Sequence, residues 1–463
     1  MSLAGIALAL ILLMFLAYRG ISVLLLAPAM AALAVLLTPE APVLASYTQV
    51  FMKAMGGFIT AFFPLFLLGS VFGKAMEASG AAVVIAKGIL RALGARRAMM
   101  AVVLACAVLT YGGVSLFVVA FAVYPVAVAL FRQADIPHRL IPAAIALGAF
   151  TFTMTAMPGT PAIQNAIPMP YFGTDLFAAP GLGLIASAVM LFAGLAWLSY
   201  RHALARDAGE HYADSTNTAQ DSIIDAPDFG GSLFRAMVPM LLIIGLSLFL
   251  GRYVLPGLDT SYLSNPRYGG VSGSEVYGQW ALILALIVAI IVVITLHRRP
   301  FSDWKVSLAE GAQQALMPMA NTASLVGFGA VIATLSGFAM IREEVMSIYP
   351  DNPLISISIA VNLLAGITGS ASGGMSIALA SLGETWLLAG QAAGISPELL
   401  HRVITIATGG LDALPHNGAV ITLLAICGLS HRKAYGDIFM VAVLFPLIAL
   451  AAVVMLGSVF GAF

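Results

Sequence analysis

Long apolar runs, each closed by a short polar stretch, follow one another along the chain. They fall at about 3–18, 21–37, 55–73, 98–131, 139–167, 179–200, 233–255, 279–297, 312–340, 353–383, 399–430 and 437–460. A helix crossing a bilayer needs about 20 residues, so most of these runs predict one crossing each. The run at 98–131 is too long for that and carries Tyr111-Gly112-Gly113-Val114-Ser115 near its middle. The run at 353–383 likewise carries Gly369-Ser370-Ala371-Ser372-Gly373-Gly374-Met375-Ser376. Either each is two short spans, or each is a hairpin that enters and leaves by the same side. Halves of roughly 14 to 18 residues are short for full spans, which favours re-entry.

Two further runs are broken internally. Gly409-Gly410-Leu411-Asp412-Ala413-Leu414-Pro415-His416-Asn417-Gly418 interrupts 399–430, and Met157-Pro158-Gly159-Thr160-Pro161 interrupts 139–167. Non-helical backbone at membrane depth is tolerated only where protein or a watery cavity surrounds it. Both runs therefore predict broken helices bordering a cavity. Thr160 before Pro161 reads as the N-cap and first position of a resumed helix.

The breaks recur in order. Gly113-Val-Ser-Leu resembles Gly374-Met-Ser-Ile at a spacing of 261; Met157-Pro158 resembles Leu414-Pro415 and Ser79-Gly80 resembles Ser336-Gly337, both at 257. Five crossings and one hairpin per half would turn the second half upside down relative to the first, the inverted-repeat plan of many secondary transporters. The expected fold is an all-α polytopic membrane protein of two inverted repeats: residues 1–200, a linker at 201–232, and residues 233–463.

Charge sets the expected orientation. With the N-terminus outside and both hairpins re-entrant, sixteen Lys and Arg residues fall on one side and five on the other, Arg402 among the five. The richer side is cytoplasmic by the positive-inside rule. Both termini would then lie outside a bacterial-type inner membrane and the polar linker inside. Lys74–Arg97 reads as an interfacial helix on the cytoplasmic side, with Arg342–Pro353 as its outer counterpart.

Composition agrees with the pattern. The 463 residues are 61% hydrophobic and 9% charged with no net charge, so nothing suggests nucleic acid as a partner. Cys106 and Cys427 sit in apolar runs without metal-site spacing. The apolar start has no basic segment before it and reads as a retained span, not a cleaved signal peptide.

Repeat symmetry should gather the four breaks near the midplane. No Lys or Arg lies within any of them, so an anion there would rest on backbone amides, hydroxyls and helix N-termini. The candidate substrate-binding residues are Gly112, Gly113, Ser115, Gly159, Thr160, Gln164, Asn165, Ser370, Ser372, Gly373, Gly374, His416 and Asn417. Small residues also serve close helix packing, which is the plain alternative for each Ser and Thr. Asp412 and His416 are the only ionisable side chains between Val403 and Leu429. A charge at that depth costs roughly 2.5–3.5 kcal/mol on insertion scales. They are the candidates for proton or cation coupling; a capping carboxylate and a structural histidine are the alternatives.

The ordered set Gly69–Gly80, Tyr111–Ser115, Pro158–Ile163, Gly369–Ser372 and Ile395–Leu399 resembles the gluconate permease family of proton-coupled organic-acid symporters, within the wider ion-transporter superfamily. That resemblance implies a dimeric secondary transporter of small organic acids, with transport domains that shift like an elevator against a scaffold. Gly112, Met157 and Asn417 stand where the family carries acidic or histidine residues. The loss of those polar groups favours a smaller hydroxy-monocarboxylate, such as 3-hydroxybutyrate or lactate, over gluconate. Moving one charge against the membrane potential costs about 2.3 kcal/mol per 100 mV. An uncoupled monoanion would be held roughly fiftyfold lower inside, so import requires a cation, H+ or Na+. No other cofactor and no metal site is expected. A sodium/proton or arsenite-type exchanger of the same superfamily is the nearest alternative. An intramembrane hydrolase using Ser370 or Ser372 with His416 is a remote one.

Overall fold

The computed structural model describes residues 2–19, 21–38, 41–114, 116–212, 232–268, 270–296, 303–347, 352–415 and 417–463. Among these residues every regular element is helical, and six stretches are long and apolar enough to cross a membrane. The first half runs through α1 (Ser2–Tyr18), α2 (Val23–Leu36) and the short α3 (Val43–Ala45) into α4 (Met52–Ala78). Next come α5 (Ala81–Leu93), the pair α6 (Ala98–Tyr111) and α7 (Leu116–Gln133), and the short pieces α8 (Ile141–Ala149), α9 (Phe152–Thr155), α10 (Ile163–Ala166) and α11 (Met169–Phe172). The long α12 (Pro180–Asp207) closes the half.

The second half is built from fewer, longer pieces. It runs α13 (Leu233–Phe249), α14 (Gly273–Leu296), α15 (Trp304–Thr334), α16 (Ser336–Ser347), α17 (Pro353–Thr368) and α18 (Ala371–Ala392). A broken path of α19 (Pro397–Leu411) and α20 (Gly418–Ile426) leads to α21 (His431–Phe439) and α22 (Phe445–Phe460).

The packing is reciprocal. α2 rests on α15 and α14 on α4; α6 packs on α8 and α17 on α19; α10 touches α18 and α20 touches α7. α4 and α15 run against each other along much of their length. Small residues permit that approach: a Cβ on Gly311 would fall 2.8 Å from the Val71 Cα, and Ser70 Oγ donates to Gly311 O at 2.8 Å. Lys74 adds ion pairs to Glu310 at 3.3 Å and Glu77 at 3.4 Å.

Both expected hairpin runs are helix pairs, the second reaching Ala392 rather than 383, and local chemistry explains their tips. α6 ends with Gly113 in the left-handed region at φ +86°, Gly113 N–H bonding Thr110 O and Val114 N–H bonding Leu109 O. Those two bonds are the glycine C-terminal motif that satisfies the last carbonyls of a helix. α17 starts on Asn352, whose side chain accepts from Leu354 N, and ends on Gly369 at φ +60°. Ser370 then caps α18 by accepting from Gly373 N. At 14 residues α6 spans about 21 Å, short of the roughly 30 Å hydrocarbon core.

Three expectations change. The first broken run does not resume as a helix at Pro161. α10 begins at Ile163 after Ala162, with no side-chain cap, and lasts four residues. Thr160 Oγ1 reaches only Ala162 N, at 3.4 Å. Pro161, Pro168 and Pro170 lack the N–H groups that a longer helix needs here. The linker also begins later than 201: α12 stays helical to Asp207, and residues 213–231 of the expected linker lie outside the described residues. The expected interfacial segments are helical within narrower or earlier bounds, Ala81–Leu93 and Ser336–Ser347.

One polar clasp joins the halves away from the breaks. Buried Asp437 on α21 takes Arg201 Nε at 2.8 Å, Trp197 Nε1 at 3.0 Å and Arg139 Nη1 at 3.2 Å. Arg139 also forks onto Glu210 with both bonds at 2.8 Å.

Candidate functional site

Each hairpin tip is tied to the break of its own half. In the first, Tyr111 Oη donates to Pro158 O at 2.7 Å, and a Cβ on Gly113 would stand 3.2 Å from Pro161. In the second, Asn417 Nδ2 donates to Gly369 O at 2.9 Å and to Asp412 O at 2.7 Å. Asn417 Oδ1 accepts from Ala419 N and Val420 N, so the same amide caps α20. The helices that lead into the two breaks also meet, since α9 packs on α19 and a Cβ on Gly409 would lie 3.1 Å from the Thr155 side chain.

The other expected residues divide by environment. Gly159 turns at φ +81° under the Phe177 ring and the Tyr111 hydroxyl. Thr160 is fully buried. Gln164 is half-buried and makes no hydrogen bond among the described residues. Ser370 and Ser372 are half-buried, their hydroxyls 3.5 Å apart at the mouth of α18. Gly373 and Gly374 face helices: a Cβ would strike Leu325 of α15 in one case and the Ala365 backbone of α17 in the other. Gly112 faces Met240 of α13. Their side-chain positions are packing contacts, and the N–H groups of Gly112, Gly373 and Gly374 bond Val108 O, Ser370 Oγ and Ser370 O. Ser115 and His416 lie outside the described residues.

Asp412 closes α19 and faces α21. Its Oδ1 is buried without a hydrogen-bond partner among the described residues. Asn362 on α17 carries a second such oxygen, pressed against Gly410. Tyr435 Oη donates to Ala413 O at 3.1 Å and His431 Nε2 lies 2.9 Å from Pro415 O, so α21 roofs the second break.

The residues missed in the sequence are His401 and Arg402, both fully buried on α19. The expectation of no basic group at the breaks needs correction. Arg402 Nη1 donates to Ala156 O at 3.1 Å, at the edge of the first break, and to Asn165 Oδ1 at 3.3 Å. Nε and Nη2 donate to Ala178 O at 2.9 and 2.7 Å, and Nη2 to Leu176 O at 3.4 Å. All five guanidinium protons are thereby used. Among the described residues no carboxylate bonds to it: Asp175 instead caps Phe177 N at 2.7 Å and pairs with Arg252 Nε at 3.4 Å. The result is a cationic staple whose charge reaches the first break while its donors are spent on protein carbonyls and Asn165.

Asn165, expected to bind substrate, is likewise fully occupied. Its Nδ2 donates to Thr160 O at 3.0 Å and Leu176 O at 2.9 Å, which orients Oδ1 toward His401 Nε2 at 3.2 Å. His401 Nε2 must then carry the proton, and Nδ1 accepts from Thr174 Oγ1 at 2.6 Å. The signal was available: Arg402 falls on the helix face of Ile406 and Gly409, at i+4 and i+7, pointing inward.

A bundle of this kind, with paired hairpins and two interrupted helices that touch, is the architecture of a multi-pass membrane transporter. The sequence profile of the GntP family permeases matches residues 1–456, and the chain belongs to that family. It is 48% identical over 472 residues, covering all of both chains, to a Bacillus subtilis (strain 168) protein described as uncharacterized transporter YxjC. Two solved transporters share the fold. One is Alcanivorax borkumensis YdaH, at 19% identity and TM-score 0.54 over 88% of this chain and 87% of that one. The other is Neisseria gonorrhoeae MtrF, described with a class of antimetabolite efflux pumps, at 13% identity and TM-score 0.53 over 91% and 85%.

Proposed function

We propose that this permease imports a small hydroxy-monocarboxylate, of the size of 3-hydroxybutyrate or lactate, together with a cation, H+ before Na+. The observation that carries the reading is Arg402: a wholly buried cation, bonded to no carboxylate among the described residues, standing behind a helix break. Its field favours an anion in the first break, while its saturated donors leave the gripping to hydroxyls and backbone amides. Asn165 is spent in the same way, so Gln164, Ser370 and Ser372 are the polar side chains left to meet substrate among the described candidates.

Few free polar side chains suit a ligand with few hydroxyls better than a sugar acid. Asp412, with one carboxylate oxygen unpartnered in the second break, is the coupling group. Symport cancels the charge that would otherwise hold the anion out. Reciprocal packing of the halves supports an inverted repeat, in a dimer whose hairpins and broken helices move as one body past α4 and α15. Both termini lie outside the inner membrane in this arrangement.

The test is uptake of labelled 3-hydroxybutyrate, lactate and gluconate into proteoliposomes under an inward proton gradient. Accumulation of the two small acids that collapses with a protonophore is expected. Accumulation of gluconate alone, or acid-independent sodium–proton exchange, would overturn the reading.

A further inference from the structure

At the opposite end of α6 from its tip lies a cavity of about 500 Å³ that the transport reading does not use. Arg96 and Arg97 stand at its edge, in the exposed turn before α6. Its walls come from the first turn of α6, the α7–α8 connection around Gln133–Ile136, and Leu195, Ser199 and His202 of α12. Neither arginine has an ion-pair partner among the described residues, and no acidic side chain lines the cavity.

Three features converge on one ligand chemistry. Two unpaired guanidinium groups supply planar, forked donors suited to phosphate oxygens. The first turn of the 14-residue α6 adds its unpaired N–H groups and partial positive charge. The depth is that of a membrane surface, because α12 changes there from an apolar stretch to Ser199-Tyr200-Arg201-His202. Met99, Met100, Ile136 and Leu195 provide an apolar wall below the basic edge. A free anion has no use for that wall; an acyl chain does.

We propose that this cavity binds the phosphate group of an anionic membrane lipid, with Arg96 and Arg97 as its principal ligands. The site is separate from the breaks and does not depend on which acid is carried.

The test is thermal unfolding of the full chain in detergent with phosphatidylglycerol, with phosphatidylcholine, or with inorganic phosphate. The wild type is expected to gain stability from phosphatidylglycerol alone. The R96Q/R97Q double variant should lose more than half of that gain, whereas R432Q/K433Q, which removes equal exposed charge elsewhere, should keep it. Equal stabilisation of the wild type by inorganic phosphate would overturn the lipid assignment. A phosphatidylglycerol gain undiminished in R96Q/R97Q would overturn the site. Should R96Q/R97Q fail to fold, native mass spectrometry of R96Q and R97Q singly keeps the question open to refutation: full lipid retention by both would overturn it.

Discussion

Tyr111 Oη donates to the Pro158 carbonyl at 2.7 Å, tying the first hairpin tip to the first helix break. Asn417 Nδ2 makes the corresponding tie in the second half, to Gly369 O at 2.9 Å. The two bonds span 47 and 48 residues of chain, yet use different side chains and opposite donor positions. In one the hairpin donates to the break; in the other the break donates to the hairpin. The relationship between tip and break has been kept while its chemistry has changed.

Tyr111→Phe keeps the ring and removes the tie. A typical hydrogen bond contributes about 0.5–1.5 kcal/mol, so unfolding should shift only modestly. Because the tip then moves independently of Pro158, uptake should fall more than stability does. Thermal unfolding and initial-rate uptake measured on one preparation check this.

Asn417 performs two tasks that substitution can separate. Asn417→Asp retains the oxygen that caps Ala419 and Val420 but cannot donate to Gly369 and Asp412. Asn417→Ala loses both, at about 0.5–2 kcal/mol for the cap alone. The aspartate variant should remain nearer wild-type stability while both variants transport poorly. Equal stability losses in the two would show that the cap is not what Asn417 contributes.

Arg402→Lys should behave as a severe change. A single ammonium cannot reach Ala156 and Ala178 together, and each buried carbonyl left unpaired costs about 1–3 kcal/mol. The expected result is lower stability with or without substrate. A variant as stable as wild type but with a raised KM would instead make Arg402 a direct substrate ligand.

The anchor after α12 carries a pH dependence. Asp135, in the left-handed region at φ 52°, accepts from Tyr212 N at 3.0 Å and pairs with His211 Nδ1 at 2.6 Å. The His211 hydrogen bond, with help from the Tyr212 N–H, holds the Asp135 carboxyl below its ordinary value. A depressed carboxyl stabilises fully above its unfolded value, about 3.9, and that stabilisation is lost as pH falls through the folded value. The hydrogen-exchange protection of amides 208–212, corrected for their intrinsic exchange rates, should therefore persist at neutral pH and be lost only in strong acid. Asp135→Asn, which tolerates the same backbone, should exchange fast throughout.

Much of the architecture was legible because hydropathy reports burial in lipid directly. The hairpins at 98–131 and 353–383 and the interruptions near Pro158 and Pro415 appear where glycine and proline break apolar runs. The extent of the first broken helix was not legible, because Thr160-Pro161 carries a helix-start signal that Pro168 and Pro170 cancel about two turns later. Arg402 was misplaced for a related reason. At the end of an apolar run a charge reads as a surface residue, and only the fold brings the carbonyls of Ala156, Leu176 and Ala178 around it. Gly374 shows the same limit, since its contact with Ala365 is a property of the folded hairpin.

Asp412 is proposed to link cation movement to anion uptake, and Asp412→Asn in proteoliposomes tests that most directly. Uphill accumulation under an imposed proton gradient should disappear, while counterflow exchange of substrate persists. Proton-driven accumulation at the wild-type level would contradict it.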